Sequence, residues 1–308
     1  MAKIAFIFPG QASQTVGMGR DFYENSAVAR QYYDLAESRF DFSLKKISFE
    51  GPLIELTQTR VTQPAIFLLS CIVFAELQER GHKMDMTAGH SLGEYSALVA
   101  GGALTFEAGL ALVKIRAEQM QIASEKNPGT MAAIVGLDYE QVEQIVQESG
   151  FSGVCQVANY NSPTQIVISG DVYKVQAAMA DLKKAGAKMA VELSVGGAFH
   201  SELMRPASEA LQEALAKTQF TAPEFPIYSN VTGTATRDPE EIRERLYRQL
   251  TAPVLWANTI QNMIADGADT FVEVGPGKVL QGLVKRTAAD VKITGIGTFA
   301  ELEQVAWN

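Results

Sequence analysis

Histidine and cysteine are scarce in this chain. Its 308 residues include three histidines (His82, His90 and His200) and two cysteines (Cys71 and Cys155). Two cysteines with no CxxC spacing cannot form a disulfide framework for a chain of this size. The histidines lack ligand spacing, so a zinc site is not expected either. Cys71 in LLSCIVFAEL and Cys155 in VCQVA read as core packing, where burial keeps a thiol protonated. Basic residues are also few: 26 Lys and Arg stand against 35 Asp and Glu, a net charge of −9. Such a surface is poorly suited to gripping a nucleic-acid backbone, which requires lysine and arginine.

Long apolar runs are missing too. The longest, Ala65 to Ala75, has eleven residues interrupted by Ser70 and Cys71. A membrane-spanning helix needs ~20. The N-terminal run has five apolar residues, against ~7–15 in a secretory signal. The expectation is a soluble, cytoplasmic, monomeric protein with no metal, no cofactor and no membrane or nucleic-acid partner.

The remaining composition is that of an ordinary globular chain, 47% hydrophobic and 20% charged. Ile4–Phe8 reads as a buried strand ending at Pro9-Gly10. Pro64 is suited to begin a helix that Gly81 ends. A strand near Met84–Ala88 leads through Gly89-His90-Ser91-Leu92-Gly93 into a helix from Glu94 to Ala100. In the following helix, about Thr105 to Ala123, Phe106, Gly109, Val113, Arg116 and Met120 share one face.

From about Gly129 to Ser194 the pattern becomes strand, helix, strand, strand, helix, strand. Asp138 and Asp171 are positioned to cap the two helices. This βαββαβ order predicts a ferredoxin-like unit. Strands alternating with helices elsewhere predict a mostly parallel, α/β-hydrolase-like sheet. The expected division is a large unit of residues 1–127 and 197–308 with a small unit, 128–196, inserted in it.

Gly89-x-Ser91-x-Gly93 fits a nucleophile elbow, in which a tight strand-to-helix turn lifts a serine clear of the sheet. Composition alone gives about 0.1 such matches in this chain, so the flanking strand and helix carry the argument. The N–H of Leu92, at the start of a helix, is one candidate donor to an oxyanion. The loop Pro9–Gln14 can supply a second if the first two strands are neighbours. The serine needs a base within hydrogen-bond reach. His90 adjoins it on a turn whose side chains diverge, and His82 lies in a charged turn. His200, after a glycine pair at the exit of the small unit, remains. No acid to orient it stands out. Arg116 on an apolar face requires either a snorkelling path or an anionic partner such as a carboxylate.

FPGQASQ, VTQPAIF, GHSLGEYSALVAGG, an arginine 25 residues after the serine, NYNSPTQIVISG, GAFHS and EVGPGKVL occur in that order. Together they resemble the malonyl-CoA:acyl-carrier-protein transacylases over nearly the whole chain. The resemblance implies that Ser91 attacks a malonyl thioester while His200 takes its proton. It implies that the carbonyl oxygen of Gln249 replaces the missing acid and that N–H groups of Gln11 and Leu92 form the oxyanion hole. Arg116 would pair with the malonyl carboxylate, and Gln63, Asn159 and Asn161 would line the site. Phe199 before His200 is similar to the AFH pattern of malonyl-selecting acyltransferases, whose ring would crowd a C2 methyl.

The implied partners are malonyl-CoA and acyl carrier protein, in fatty-acid or polyketide synthesis. A serine esterase or thioesterase is the alternative; it has no use for Arg116. One departure is Ala12 where the family has glycine; a positive φ there would cost about 1 kcal/mol. An acidic carrier protein would need a basic patch on this acidic chain. Lys183, Lys184, Lys188, Lys278, Lys285 and Arg286 are the candidates.

Overall fold

The strands of the computed structural model, which describes residues 3–150 and 152–305, fall into two separate sheets. They are β1 (Lys3–Phe8), β2 (Met86–Gly89), β3 (Thr130–Val135), β4 (Cys155–Ser162), β5 (Gln165–Gly170), β6 (Met189–Glu192), β7 (Ile227–Tyr228), β8 (Ala235–Thr236), β9 (Ala268–Val274) and β10 (Lys292–Ile296). The six-stranded sheet has the order β10-β9-β1-β2-β7-β8 and is parallel except for the β7–β8 pair. Its β1 reads as a continuous apolar run because helices cover both faces: Phe6 and Phe8 belong to one core, Ala5 and Ile7 to the other. β1 and β2 are neighbours in register, Phe8 opposite Gly89, which brings the loops after them together.

The second sheet, β4-β5-β3-β6, is antiparallel throughout. Helices Tyr139–Glu148 and Val172–Lys184 pack on one face over a third core that includes Ile134, Ile168, Val142 and Val175. Element order and strand order are those of a ferredoxin-like unit. Asp138 caps the first of these helices in a capping box. Asp171 precedes the second helix, but its carboxylate accepts from the N–H of Val154 instead of a helix N–H. The protein is therefore α/β, with a mostly parallel sheet and a separate antiparallel one.

The antiparallel sheet is tied at its edge to the segment that follows helix Pro239–Gln249. Along its other edge, opposite β5, β4 pairs in parallel with Val254 at Asn159: Tyr160 N–H donates to the Val254 carbonyl and Val254 N–H to that of Ala158, both at 2.9 Å. The cleft between the sheets opens beside this junction.

The helix bearing Pro64 differs from its expected start. It spans Thr59–Glu79, and Pro64 is its sixth residue. Thr59 N–H donates to Gln121 Oε1 at 3.2 Å, which helps to anchor the first turn ahead of the proline. Twenty-one residues make this helix long and apolar enough to cross a membrane, unlike the eleven-residue run within it. However, 83% of its apolar window is buried inside the protein, where that surface serves the core.

Candidate active site

At the end of β2 the chain turns sharply into the helix Gly93–Ala100. Two glycines make the turn possible through lack of volume. A Cβ on Gly89 would fall 1.9 Å from the Gly93 carbonyl group, and one on Gly93 would fall 2.0 Å from the Phe8 carbonyl oxygen of β1. Ser91 between them adopts a left-handed φ of 51°, a strained conformation for a residue with a side chain. The geometry raises its hydroxyl into a cavity of about 270 Å³ between the two sheets.

His200 meets it there. Its Nε2 lies 2.8 Å from Ser91 Oγ, and its Nδ1 lies 2.8 Å from the carbonyl oxygen of Gln249. A carbonyl only accepts, so Nδ1 carries the proton and Nε2 is free to accept the serine proton. His200 also has a left-handed φ, 56°. Burial pulls its pKa down to about 3, Arg116's positive charge adds to the shift, and the Gln249 carbonyl opposes it. The imidazole is neutral at ordinary pH.

Arg116 does not snorkel. Its helix, Phe106–Lys126, buries the face shared with Phe106, Gly109, Val113 and Met120, and the guanidinium is fully enclosed. Gly109 lets that face pack tightly, since a Cβ there would lie 2.8 Å from Phe67 Cζ. Arg116 donates to Gln63 Oε1 at 2.6 Å, Gln249 Oε1 at 2.9 Å and Ser91 Oγ at 3.0 Å. It also lies over the Tyr95 ring, 5.6 Å from the centroid. Burial lowers its pKa, while Tyr95 and Glu94 support the charged form.

The other expected site residues also converge. Gln11, Gln63, Leu92, Asn159, Asn161 and Phe199 line the cavity with Ser91, Arg116 and His200; Gln249 stands behind it. Among the described residues, the N–H groups of Gln11 and Leu92 are paired with no acceptor. Ala12 has a φ of 82°, so the departure from glycine does fall at a left-handed position. His90 points away from Ser91, its Nε2 2.8 Å from Asn161 Oδ1 and its ring edge-on to Trp256. Much of the opposite wall is apolar, built by Met131, Val167, Leu193 and Val195 beside the amides of Asn159, Asn161 and Gln165.

Two further residues of the site are given no role by the sequence reading. Asn230 Oδ1 accepts from the Ser91 N–H at 2.7 Å, and its Nδ2 donates to the Gly89 carbonyl at 2.6 Å, bracing both sides of the turn. Glu94 accepts from Gln249 Nε2 at 2.7 Å and from Asn230 N–H at 3.2 Å. Burial pushes its carboxyl up to about 7 against these hydrogen bonds and the pull of Arg116. Asn230 follows a two-residue strand and Glu94 could pass for an ordinary first-turn acid, so neither position advertises itself. Among the described residues, no group of three or more His, Cys, Asp or Glu could hold a metal ion.

This constellation can activate a hydroxyl against an acyl carbon and hold an anion beside it. Residues 5–300 match the acyl transferase domain family. A malonyl CoA-acyl carrier protein transacylase of Bacillus subtilis is 44% identical, over 96% of this chain and 94% of the relative. A crystal structure of an acyl carrier protein S-malonyltransferase from Vibrio cholerae superposes with a TM-score of 0.95 at 38% identity, covering 99% of this chain and 100% of that one. A malonyl-transacylase solved in complex with a type II PKS acyl-carrier protein gives 0.94 at 36% identity, with 98% of each chain covered. The chain therefore belongs to the acyl transferase domain family, among the malonyl CoA-acyl carrier protein transacylases.

Proposed function

We propose that this protein transfers a malonyl group from malonyl-CoA to the phosphopantetheine thiol of acyl carrier protein through a malonyl ester of Ser91. The single observation that carries this reading is the enclosed guanidinium of Arg116, 3.0 Å from the hydroxyl that would receive the acyl group. A hydrolase of neutral esters gains nothing from a buried cation there, whereas a carboxylated acyl group supplies its anion.

In the first half-reaction, Ser91 Oγ gives its proton to His200 Nε2 and attacks the thioester carbonyl. The resulting oxyanion is held by the N–H groups of Gln11 and Leu92. Its collapse expels the CoA sulfur, which takes the proton from His200, leaving the serine ester. In the second, the carrier's thiol gives its proton to His200 and attacks the ester, and Ser91 leaves with that proton. The Gln249 carbonyl holds the His200 ring and stabilises the imidazolium as an acid would. Arg116 also lowers the proton affinity of His200. An acyl carboxylate that engages Arg116 reduces that effect, so the base gains strength when the correct acyl group arrives. Phe199, Asn159 and Asn161 bound the acyl site.

The domain division expected from the sequence accompanies this reading: the body, 1–127 and 197–308, carries the reacting groups, and 128–196 forms a wall of the cleft. Residues 1–2, 151 and 306–308 of these ranges lie outside the described residues. Of the six basic docking candidates, Arg286 lines the cavity mouth, where it donates to Gln165 Oε1 at 3.4 Å. Lys184 pairs with Asp181, and Lys278 with Glu301. We place the acidic carrier at the Lys285–Arg286 side of the mouth, in a cytoplasmic enzyme.

Intact mass after brief exposure to malonyl-CoA, with peptide mapping, tests the function. A malonyl adduct on Ser91 that acyl carrier protein removes is expected. Hydrolysis faster than transfer would overturn transfer in favour of a thioesterase.

A further inference from the structure

Glu94 takes no part in the steps above, yet it is 4% exposed and lies three residues after Ser91. Its carboxylate and the guanidinium of Arg116 are joined by one side-chain amide. Gln249 Oε1 accepts from Arg116, and Gln249 Nε2 donates to Glu94. The amide dipole is thus aligned between a buried cation and a buried anion. Each neighbouring element presents a group to Glu94. Helix Phe106–Lys126 contributes Arg116, the segment after β7 contributes Ser229 and Asn230, the end of helix Pro239–Gln249 contributes Gln249, and its own helix contributes Tyr95. Of these, Arg116 alone is cationic.

We propose that Glu94 is a positioning residue for acyl selectivity: through the Gln249 amide it serves as the internal anion of Arg116 in the empty site and so moderates the grip of Arg116 on an acyl carboxylate. The inference rests on the malonyl reading above. When a carboxylated acyl group enters, two anions share one guanidinium in an enclosed space, which is unfavourable. A carboxyl already raised by burial then takes up a proton from solvent and remains an acceptor through its other oxygen. Without this competition Arg116 would hold the malonyl ester more tightly. Stronger ground-state binding of the acyl-enzyme slows its transfer onward.

Kinetics with malonyl-CoA and acetyl-CoA test this. Glu94→Gln keeps an acceptor for the Gln249 amide but removes the charge. The ratio of KM for malonyl-CoA to KM for acetyl-CoA is expected to fall at least about fivefold, the lower end of ordinary site coupling. Transfer of malonyl onward from the loaded variant is expected to slow. Glu94→Ala also removes the acceptor, so it lowers kcat for both donors, and Glu94→Gln restores it for acetyl-CoA.

A KM ratio within twofold of wild type in Glu94→Gln overturns the proposal, as do parallel kcat losses for both donors in both variants. The wild-type enzyme gives an independent check. In weak buffer at pH 7.5, an indicator dye is expected to record a fraction of a proton taken up per malonyl loaded and none on acetyl loading. Equal signals overturn it. Absence of a malonyl adduct on wild-type Ser91 would instead overturn the functional reading itself.

Discussion

The two walls of the cleft are made of different material. On the body side, Ser91, His200, Arg116 and Gln63 are tied to one another or to Gln249 by hydrogen bonds of 2.6–3.0 Å. On the other side, Met131, Val167, Leu193 and Val195 present hydrocarbon and a thioether, with the amides of Asn159, Asn161 and Gln165 beside them but outside that network. On the proposed reading, the first wall sets which bond reacts and which charge is accepted, and the second limits volume and excludes water. A polar network fails sharply when one member is lost, because its partners are left buried and unpaired. An apolar wall loses function gradually, in proportion to the surface removed.

The comparison predicts a graded series of effects. Ser91→Ala should have the largest, removing acyl-enzyme formation and cutting turnover by on the order of 10⁴–10⁶-fold, read by mass and by transfer rate. Arg116→Ala should reduce kcat/KM for malonyl-CoA by on the order of 10²–10³-fold, the effect of losing one side of a buried charge pair. Acetyl loading should be spared or rise. Equal loss for both donors would mean that the arginine is structural and would break the contrast between the walls. Leu193→Ala, on the apolar wall, should raise KM roughly fivefold for both donors with little change in their ratio, since lost apolar contact at the partly open edge of such a pocket costs about 1 kcal/mol, the lower end of its range.

A pH measurement sharpens the same contrast. His200 is held neutral down to about pH 3, whereas an unfolded histidine protonates near 6.5. Between those values the unfolded chain binds more protons, so this group's stabilising contribution is present above 6.5 and is lost as the pH falls toward 3. Thermal unfolding of wild type against His200→Asn should show a steeper acid-side decline in wild type; parallel curves would refute it. The smallest effect belongs to Ala12→Gly. It relieves a left-handed Cβ but loosens the unfolded chain, for a net gain below about 1 kcal/mol, visible as a melting shift of a few degrees or less.

The legible part of the site was whatever sequence spacing encodes. The elbow could be read because two glycines at fixed distance flank a serine, and Arg116 because it shares a helical face with Val113 and Met120. His200 emerged because only three histidines compete. The partner of His200 is a backbone carbonyl, which any residue could supply, so Gln249 was named only through family resemblance. Asn230 and Glu94 act across 139 and 155 residues of chain from the atoms they hold; Asn230 has no local pattern to mark it, and Glu94 stands inside the GHSLGEYSALVAGG motif where nothing in the spacing reveals its distant partner. The small unit's order was legible because its pairing is local. The body's was less so: β10 and the two-residue β8 carried no distinguishing run, and Pro64 was placed at a helix start when its helix begins five residues earlier.

The short stretch from Gln249 to Val254 has two duties. Its first residue orients the imidazole, and its last is zipped to β4 of the small unit, with the Thr251 carbonyl taking a further bond from Gln156. The small unit is therefore not an interchangeable cassette. A chimera that borrows residues 128–196 from a relative inherits a foreign edge for this stretch, and any slip in that seam reaches the base within five residues. Grafts that carry 249–254 along with the insert should keep their rate, whereas grafts of the insert alone should lose it before they lose their fold.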